Sequence, residues 1–167
     1  AVADRMLSQT LRALTGAKTD SQAWRRLFQH FNELRGRGSA GYQPGEKIAV
    51  KLNLNCCKRR GDPTQGFYNT PQLTIALLRQ LVRQAGVRET DLVFYDASRF
   101  VPDSIFDPCH GEFPAVRFED RDGGEGRFKV QPDRRAALYF GDPTTPSHGN
   151  TCLPECVTGA TYLINAA

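Results

Sequence analysis

Two predicted strand ends carry polar side chains that could hold a ligand. These are Lys51, Asn53 and Asn55 at the first strand end, and Asp96, Ser98 and Arg99 at the second. In an open α/β sheet, ligands bind outside the carboxyl ends of the strands. The sequence therefore predicts a small anionic ligand at this edge. As candidate catalytic residues, Lys51 would bind the anion and Asp96 would orient it or act as a base. The other four would bind the ligand, with Arg99 clamping a carboxylate or phosphate.

The pairing of Lys51 with Asp96 has two interpretations. A lysine in a buried strand is costly unless a carboxylate meets it, and Asp96 is the natural partner. The pair could be structural and fix the register of two strands. Alternatively, Lys51 could hold an anion near the N-terminus of the helix predicted to begin at Pro71. The sequence leaves both interpretations open.

A second set of residues has the chemistry of soft metal ligands. Cys152 and Cys156 are separated by three residues, and Cys109 with His110, or His148 in its place, could complete four ligands. Such a set would suit zinc or an iron–sulfur cluster, although the chain has no CxxC motif. Both histidines are expected in loops.

Structural thiols or disulfides are the alternative for these cysteines. The five cysteines are Cys56, Cys57, Cys109, Cys152 and Cys156, and an odd number leaves at least one thiol or a partner in another chain. In an exported protein, the pairs to consider are Cys152 with Cys156, and Cys109 with Cys56 or Cys57.

Composition and motifs exclude several classes of protein. The 22 basic and 18 acidic residues give a net charge of +4, without the basic stripe typical of nucleic-acid binding. No apolar run is long enough to span a membrane. Neither GxGxxG nor GxxxxGK[ST] follows the first strand, which disfavours a nucleotide site. The acidic run at 119–122 is expected to form a solvated turn.

The apolar periodicity predicts an α/β protein. Two helices open the chain, the first ending at Gly16 and the second capped by Asp20 or Ser21. A strand over 47–55, a helix from Pro71 to Gly86 and a strand over 92–95 form a βαβ unit. We therefore expect a three-layer fold with a mostly parallel sheet.

Weaker patterns follow residue 100. Strands are predicted at 116–118, 128–130, 137–140 and 161–165, with a loop over 141–154 and a short helix over 153–158. Residues 1–40 are expected to form a helical segment and 41–167 an α/β domain. Because the chain stops just after an apolar strand, we expect that domain to lack its C-terminal part, supplied by a missing half or a second chain.

Several short motifs occur in the order found in one known family. They are Gly45-Glu46-Lys47-Ile48-Ala49-Val50-Lys51-Leu52-Asn53, Thr70-Pro71, Ala85-Gly86-Val87, Val93-Phe94-Tyr95-Asp96-Ala97-Ser98-Arg99, Leu153-Pro154-Glu155-Cys156-Val157 and Ala160-Thr161-Tyr162-Leu163-Ile164-Asn165. Over roughly residues 40–167 the chain resembles the domain-of-unknown-function family numbered 362. The resemblance implies a bacterial or archaeal protein, often exported, with some members fused to ferredoxin-like cluster domains. Members also carry a Lys and His motif after the last strand, which this chain lacks, and the Cys56-Cys57 pair has no counterpart.

These observations lead to two hypotheses of function. The first is an exported, redox- or metal-associated enzyme subunit that binds a small anion at the sheet edge. The second is a non-catalytic subunit or interaction module with structural disulfides. The sequence does not decide whether the protein is an enzyme. The periplasm or another exported location is expected, with the cytoplasm as the alternative.

Overall fold

The computed structural model describes residues 2–55, 60–61, 69–138 and 152–166. Within them the protein is a mixed α/β structure with a five-stranded parallel sheet and a two-stranded antiparallel sheet. The predicted α/β class with a mostly parallel sheet is therefore confirmed. The chain divides into two compact units. The helical unit comprises Ala1–Glu46, Asn69–Leu92 and Asp103–Val116, and the sheet unit comprises Lys47–Tyr68, Val93–Pro102 and Arg117–Ala167.

The helical unit begins with the two predicted helices, α1 (Val2–Thr15) and α2 (Asp20–Leu34). The cap of α2 differs from the prediction, because Thr19 accepts a hydrogen bond from the amide of Gln22 at 3.2 Å. Asp20 instead binds side chains of other helices, accepting from Ser8 at 2.8 Å. An aspartate with partners elsewhere leaves the cap to the preceding threonine.

The next helix, α3 (Pro71–Arg79), starts as predicted, with Thr70 as its cap and proline in its first turn. It continues as a π-helical turn over Gln80–Gln84, closed by a 2.9 Å hydrogen bond from the amide of Ala85 to the carbonyl of Gln80. Gly86, with a φ of 73°, then reverses the chain as expected of a helix stop.

One helix was not predicted. α4 (Asp103–Glu112) contains Cys109 and His110, so the prediction of a loop at His110 is wrong. Pro108 and Gly111 within it weaken its intrinsic helix propensity. Burial of Ile105, Phe106 and Cys109 on one side stabilises it, and it contacts α3.

Five strands form the parallel sheet, namely β1 (Ile48–Lys51), β2 (Leu92–Tyr95), β3 (Arg117–Asp120), β4 (Phe128–Lys129) and β7 (Tyr162–Asn165). Their order across the sheet is β4-β3-β2-β1-β7. From β1 to β4 the chain advances in one direction, and it then returns to the opposite side of β1 for β7. The order of strands therefore reverses at β1, the strand that ends in Lys51.

The strand boundaries differ in part from the predictions. β1 stops at Lys51 although Leu52 and Leu54 remain fully buried. An antiparallel pair, β5 (Pro132–Ala137) and β6 (Cys152–Pro154), reaches only the first residue of the strand predicted at 137–140 and occupies the end of the loop predicted at 141–154. Residues 139–151 lie outside the described part of the chain.

A short helix, α5 (Glu155–Thr158), lies within the predicted range and covers part of the sheet. Its residues Cys156 and Val157 pack against Ala49, Val93 and Tyr95. Because side chains alternate along a strand, these three sheet residues share one face. The packing places the Cys156 thiol next to the carboxyl ends of β2 and β3.

Candidate functional site at the carboxyl ends of the strands

The carboxyl ends of β1, β2 and β3 form what we call the strand-end site, comprising residues 51–55, 60, 96–101 and 120–125. Its centre is Asp96, whose side chain is 1% exposed. One carboxylate oxygen accepts hydrogen bonds from the amide and hydroxyl of Ser98 at 2.9 and 3.0 Å. The other accepts from the amide of Leu54 at 3.0 Å and from Nζ of Lys51 at 3.2 Å. Asp96 therefore ties the loop after β1 to the loop after β2.

These contacts determine the charge of Asp96. Burial raises the pKa of the carboxyl, but the amides of Ser98 and Leu54 and the Lys51 ammonium outweigh burial and hold the pKa below its ordinary value of 3.8. The carboxylate is thus ionised at neutral pH, with four donors on its two oxygens. This arrangement favours an orienting role for Asp96 over that of a base.

Lys51 is the exposed member of the ion pair. Its side chain is 33% exposed, whereas that of Asp96 is 1% exposed. The ammonium also donates to the carbonyl of Leu52. Because an ammonium has three donors, one N–H remains for a further acceptor. The predicted pair is present, and it leaves part of the lysine accessible.

Arg99 is held by carbonyl groups. Its Nε donates to the carbonyl of Asn55 at 2.9 Å, and its Nη1 donates to the carbonyl of Ser98 at 3.2 Å. Within the described ranges, no carboxylate forms an ion pair with Arg99. Its positive charge is therefore positioned by the loops and has no anionic partner among those residues. The remaining two predicted residues, Asn53 and Asn55, lie in the loop after β1, where the backbone amide of Asn55 donates to the side-chain oxygen of Asn53 at 3.4 Å.

A second buried carboxylate lies at the end of β3. Asp120 is fully buried and accepts hydrogen bonds from the amides of Val101, Asp122 and Gly123 at 3.2, 3.1 and 2.7 Å. The prediction of a solvated turn at 119–122 is wrong for Glu119 and Asp120, which belong to β3 and are buried, whereas Arg121 and Asp122 are exposed in a bend. Hydrogen bonds from these backbone amides offset the free-energy cost of burying the Asp120 carboxylate.

Arg60 completes the contacts of Asp120. Its Nη2 lies 3.5 Å from the carboxylate of Asp120 and donates to the carbonyl of Gly123, and its Nη1 lies 3.4 Å from Glu125. Its guanidinium lies 5.7 Å from the centre of the Phe100 ring. The guanidinium of Arg121 lies 4.5 Å from the same ring centre, so one aromatic side chain contacts two cations.

Arg60 and Asp120 were not among the predicted residues, although the sequence carries one signal for Asp120. Asp96 is followed two residues later by Ser98, and Asp120 is followed by Asp122 and Gly123. An aspartate that accepts the amide two residues ahead is a common turn at the end of a strand. This repeated pattern would have indicated that Asp120, like Asp96, begins a turn at the end of a strand. Nothing in the sequence pattern indicates Arg60.

The cysteine on α5, Cys156, is partly buried and packs against a buried cluster of sheet residues. Burial, followed by the charge and hydrogen bonding of Glu119, raises the pKa of Cys156 to about 12. Burial also raises the pKa of Tyr95 to about 12, with the neighbouring Cys156 and Asp96 as further causes. Glu119 itself accepts from Nε of Arg117 at 2.6 Å. The thiol of Cys156 is therefore protonated, which makes it a weak nucleophile.

The other predicted metal ligands lie on different elements. Cys109 is buried in α4, where burial raises its pKa to about 12, and the His110 ring stacks on Phe106 at 4.8 Å. Cys152 lies in β6. Cys109, Cys152 and Cys156 are free thiols, so neither predicted disulfide is present in the structure. Cys56, Cys57 and His148 lie outside the described residues.

The predicted metal set receives no support from the described residues. Among them, no three histidine, cysteine, aspartate or glutamate side chains gather as metal ligands. The prediction of zinc or an iron–sulfur cluster at Cys109, His110, Cys152 and Cys156 therefore has no geometric basis here.

The fold and the strand-end site define an α/β protein with buried carboxylates and accessible cations at the carboxyl ends of its strands. Comparison of the chain with family models, curated proteins and solved structures found no match. The resemblance to the family numbered 362 therefore stays a prediction. In the part of the chain that is described, no helix has both the length and the apolar character needed to cross a bilayer.

Proposed function

We propose that the strand-end site binds a small anionic ligand through Lys51 and Arg99. The observation that carries the proposal is the state of Arg99, a guanidinium fixed by two carbonyls with no carboxylate partner among the described residues. Guanidinium groups bind carboxylate and phosphate in a planar, two-point arrangement. An anion would supply the countercharge that Arg99 lacks.

Asp96 supports this proposal as a positioning residue. It binds Ser98, the neighbour of Arg99, through one oxygen, and Lys51 through the other. One buried carboxylate thus holds Lys51 and the backbone next to Arg99, which limits the motion of this site before a ligand arrives. Preorganisation of this kind lowers the entropic cost of binding. The position also fits the general placement of ligands in α/β sheets, since the strand order reverses at β1.

The proposed activity is binding. Ser98 is the hydroxyl nearest to Asp96, but that carboxylate is engaged by four donors and its pKa is low, so it is a poor base for the serine. A link to redox or metal chemistry, and export from the cytoplasm, stay predictions from the sequence. Metal and sulfide analysis of protein purified without oxygen tests that link, since bound metal should disappear in Cys152→Ser and Cys156→Ser variants.

The second candidate function is a non-catalytic interaction module. The observation in its favour is that Asp96 has a complete set of partners, as a purely structural ion pair would. In that case Lys51 stabilises the sheet through its ion pair with Asp96 and does not bind a ligand. The two candidate functions predict different effects of substituting Lys51 and Arg99 on anion binding and on stability.

Isothermal titration of the full chain with inorganic phosphate and with succinate tests the proposal. Arg99→Gln should weaken binding at least tenfold without changing the melting temperature. The matched control is Arg134→Gln, because the side chain of Arg134 is exposed in the same unit and makes no described contact. Lys51→Met should also weaken binding.

If the wild-type protein binds neither anion, or if Arg99→Gln binds as well as the wild type, the proposal is wrong. If Lys51→Met also unfolds the protein, the structural interpretation of that residue holds.

A further inference from the structure

The helical unit contains a cavity of about 450 Å³ lined by α1, the start of α2 and the end of α3 with its π-helical turn. This volume lies within the usual range for sites that bind small molecules. Four arginines line it, namely Arg5, Arg12, Arg79 and Arg83. The acidic side chains that line it are Asp4 and Asp20. Its lining therefore carries more positive than negative charge.

The acids do not neutralise all four arginines. Arg12 lies 3.3 Å from Asp20, and Arg79 lies 3.3 Å from Asp4. Arg83 shares Glu112 with Arg79, and that glutamate is outside the lining of the cavity. Arg5 forms no ion pair within the described residues. The guanidinium of Arg5 is therefore available for a ligand, and Arg83 shares its carboxylate partner with Arg79.

Buried hydrogen bonds hold the polar lining in place. Gln80 is 7% exposed, its carbonyl oxygen accepts from the indole of Trp24 at 3.0 Å, and its amide donates to Asp20 at 2.8 Å. Nε of Arg79 donates to both carboxylate oxygens of Glu112, at 2.8 and 3.1 Å. These contacts fix the orientation of side chains that face the cavity, which reduces the ordering needed on binding.

The π-helical turn contributes directly to the lining. Gln80, Arg83 and Gln84 belong to that turn and line the cavity. A π-helical turn has poorer geometry than an α-helix and frequently occurs at functional sites. The π-helical turn that follows α3 therefore lies where Arg79 and Arg83 line the cavity.

We infer that this cavity, which we call the arginine cavity, binds a small multivalent oxyanion carrying phosphate or carboxylate groups. Several guanidinium groups that converge on one volume match a ligand with more than one anionic group. The arginine cavity belongs to the helical unit, whereas the strand-end site belongs to the sheet unit. The inference is therefore independent of the proposed function.

Titration of the full chain with pyrophosphate and with citrate tests the inference, and the two probes distinguish phosphate from carboxylate ligands. We expect Arg5→Gln to weaken binding about tenfold and an Arg5→Gln, Arg83→Gln double variant to weaken it further. The control is Arg37→Gln, an exposed arginine of the same unit without a described side-chain contact, which should not affect this binding. Arg99→Gln separates the two sites, because a probe that still binds to this variant binds without the guanidinium of the strand-end site.

Three results would overturn the inference: no binding of either probe, equal loss in Arg37→Gln and Arg5→Gln, or complete loss in Arg99→Gln alone. If the double variant unfolds because Glu112 loses a partner, the single Arg5→Gln variant decides, since Arg5 makes no described contact. Changes in the backbone amide resonances of α1 and α3 on addition of pyrophosphate should map the same cavity. Changes confined to the sheet unit would contradict it.

Discussion

Nζ of Lys51 lies 3.2 Å from the same carboxylate oxygen of Asp96 that accepts the amide of Leu54. One oxygen thus fixes both the lysine and the backbone that leaves its strand. Because the carboxylate is buried and the ammonium is one-third exposed, the pair is asymmetric. Asp96 supports the structure, and Lys51 remains accessible to a ligand.

Asp96→Asn should destabilise the protein by about 2–4 kcal/mol, because a buried amide cannot satisfy four donors and leaves the ammonium unpaired. The free energy of unfolding, measured by urea denaturation, is the test. Asp122→Asn is the control, since the Asp122 side chain is 52% exposed and pairs with the exposed Arg121. We expect little change there. Equal losses in the two variants would contradict the central position of Asp96.

The stability of the protein should depend on Asp96 in acid. Its folded pKa lies below the ordinary value of 3.8, so its contribution is present above about pH 4 and is lost as the pH falls through the folded pKa. The difference in unfolding free energy between the wild type and Asp96→Asn should therefore shrink between pH 5 and pH 2. Other acids with lowered pKa values affect both proteins alike. A difference that stays constant with pH would refute this assignment.

Cys156 should be slow to react in the folded protein. Because its pKa is raised from 9.0 to about 12, the thiolate is scarce at pH 8, and iodoacetamide should label Cys156 much more slowly in the folded than in the unfolded chain. Peptide mapping by mass spectrometry measures the two rates. The same shift means that its contribution to stability is complete below pH 9 and is lost as the pH rises toward 12. Rapid labelling of Cys156 in the native protein at pH 8 would contradict its partial burial beside Glu119.

Gly123→Ala should destabilise the turn that holds Asp120. Gly123 has a φ of 69°, and a Cβ there would lie 2.5 Å from the backbone nitrogen of Lys129. Left-handed backbone alone costs a residue with a Cβ about 1–3 kcal/mol, and the contact adds to it. Thermal unfolding is the measurement.

The matched control for that variant is Gly111→Ala. Gly111 lies in α4 with open space around its Cβ position. Alanine favours a helix over glycine by about 1 kcal/mol, so this variant should be neutral or more stable. A loss of stability at Gly111 equal to that at Gly123 would show that the turn geometry is not the cause.

The sequence predicted those parts of the site that depend on neighbouring residues and on strand direction. β2 has the predicted bounds, and the ion pair between Lys51 and Asp96 follows from two parallel strands ending at one edge. The burial of Asp120 was not predicted, because its partners, three backbone amides and the distant Arg60, come together only in the fold. The helix α4 was also missed, because its stabilisation comes from tertiary contacts of Ile105 and Phe106 and not from its own propensity.

The arginine cavity also depends on tertiary packing that local sequence patterns do not predict. Arg5 and Arg83 lie on different helices, and nothing in either local pattern relates them. Each arginine alone is typical of a solvated helix surface. Only the packing of α1 against α3 brings them to one volume.

The pairing of β7 with β1 determines when the sheet can be completed during synthesis. Ile48 aligns with Tyr162, more than 100 positions later in the chain, and the amide of Ala166 donates to the carbonyl of Lys51. During synthesis, β1 therefore lacks one of its two neighbours until β7 has emerged from the ribosome. Contacts between such distant residues form slowly, since a long loop must close first. The backbone of Lys51 consequently acquires its final hydrogen bond late, and ligand binding should be among the last properties that a newly made molecule gains.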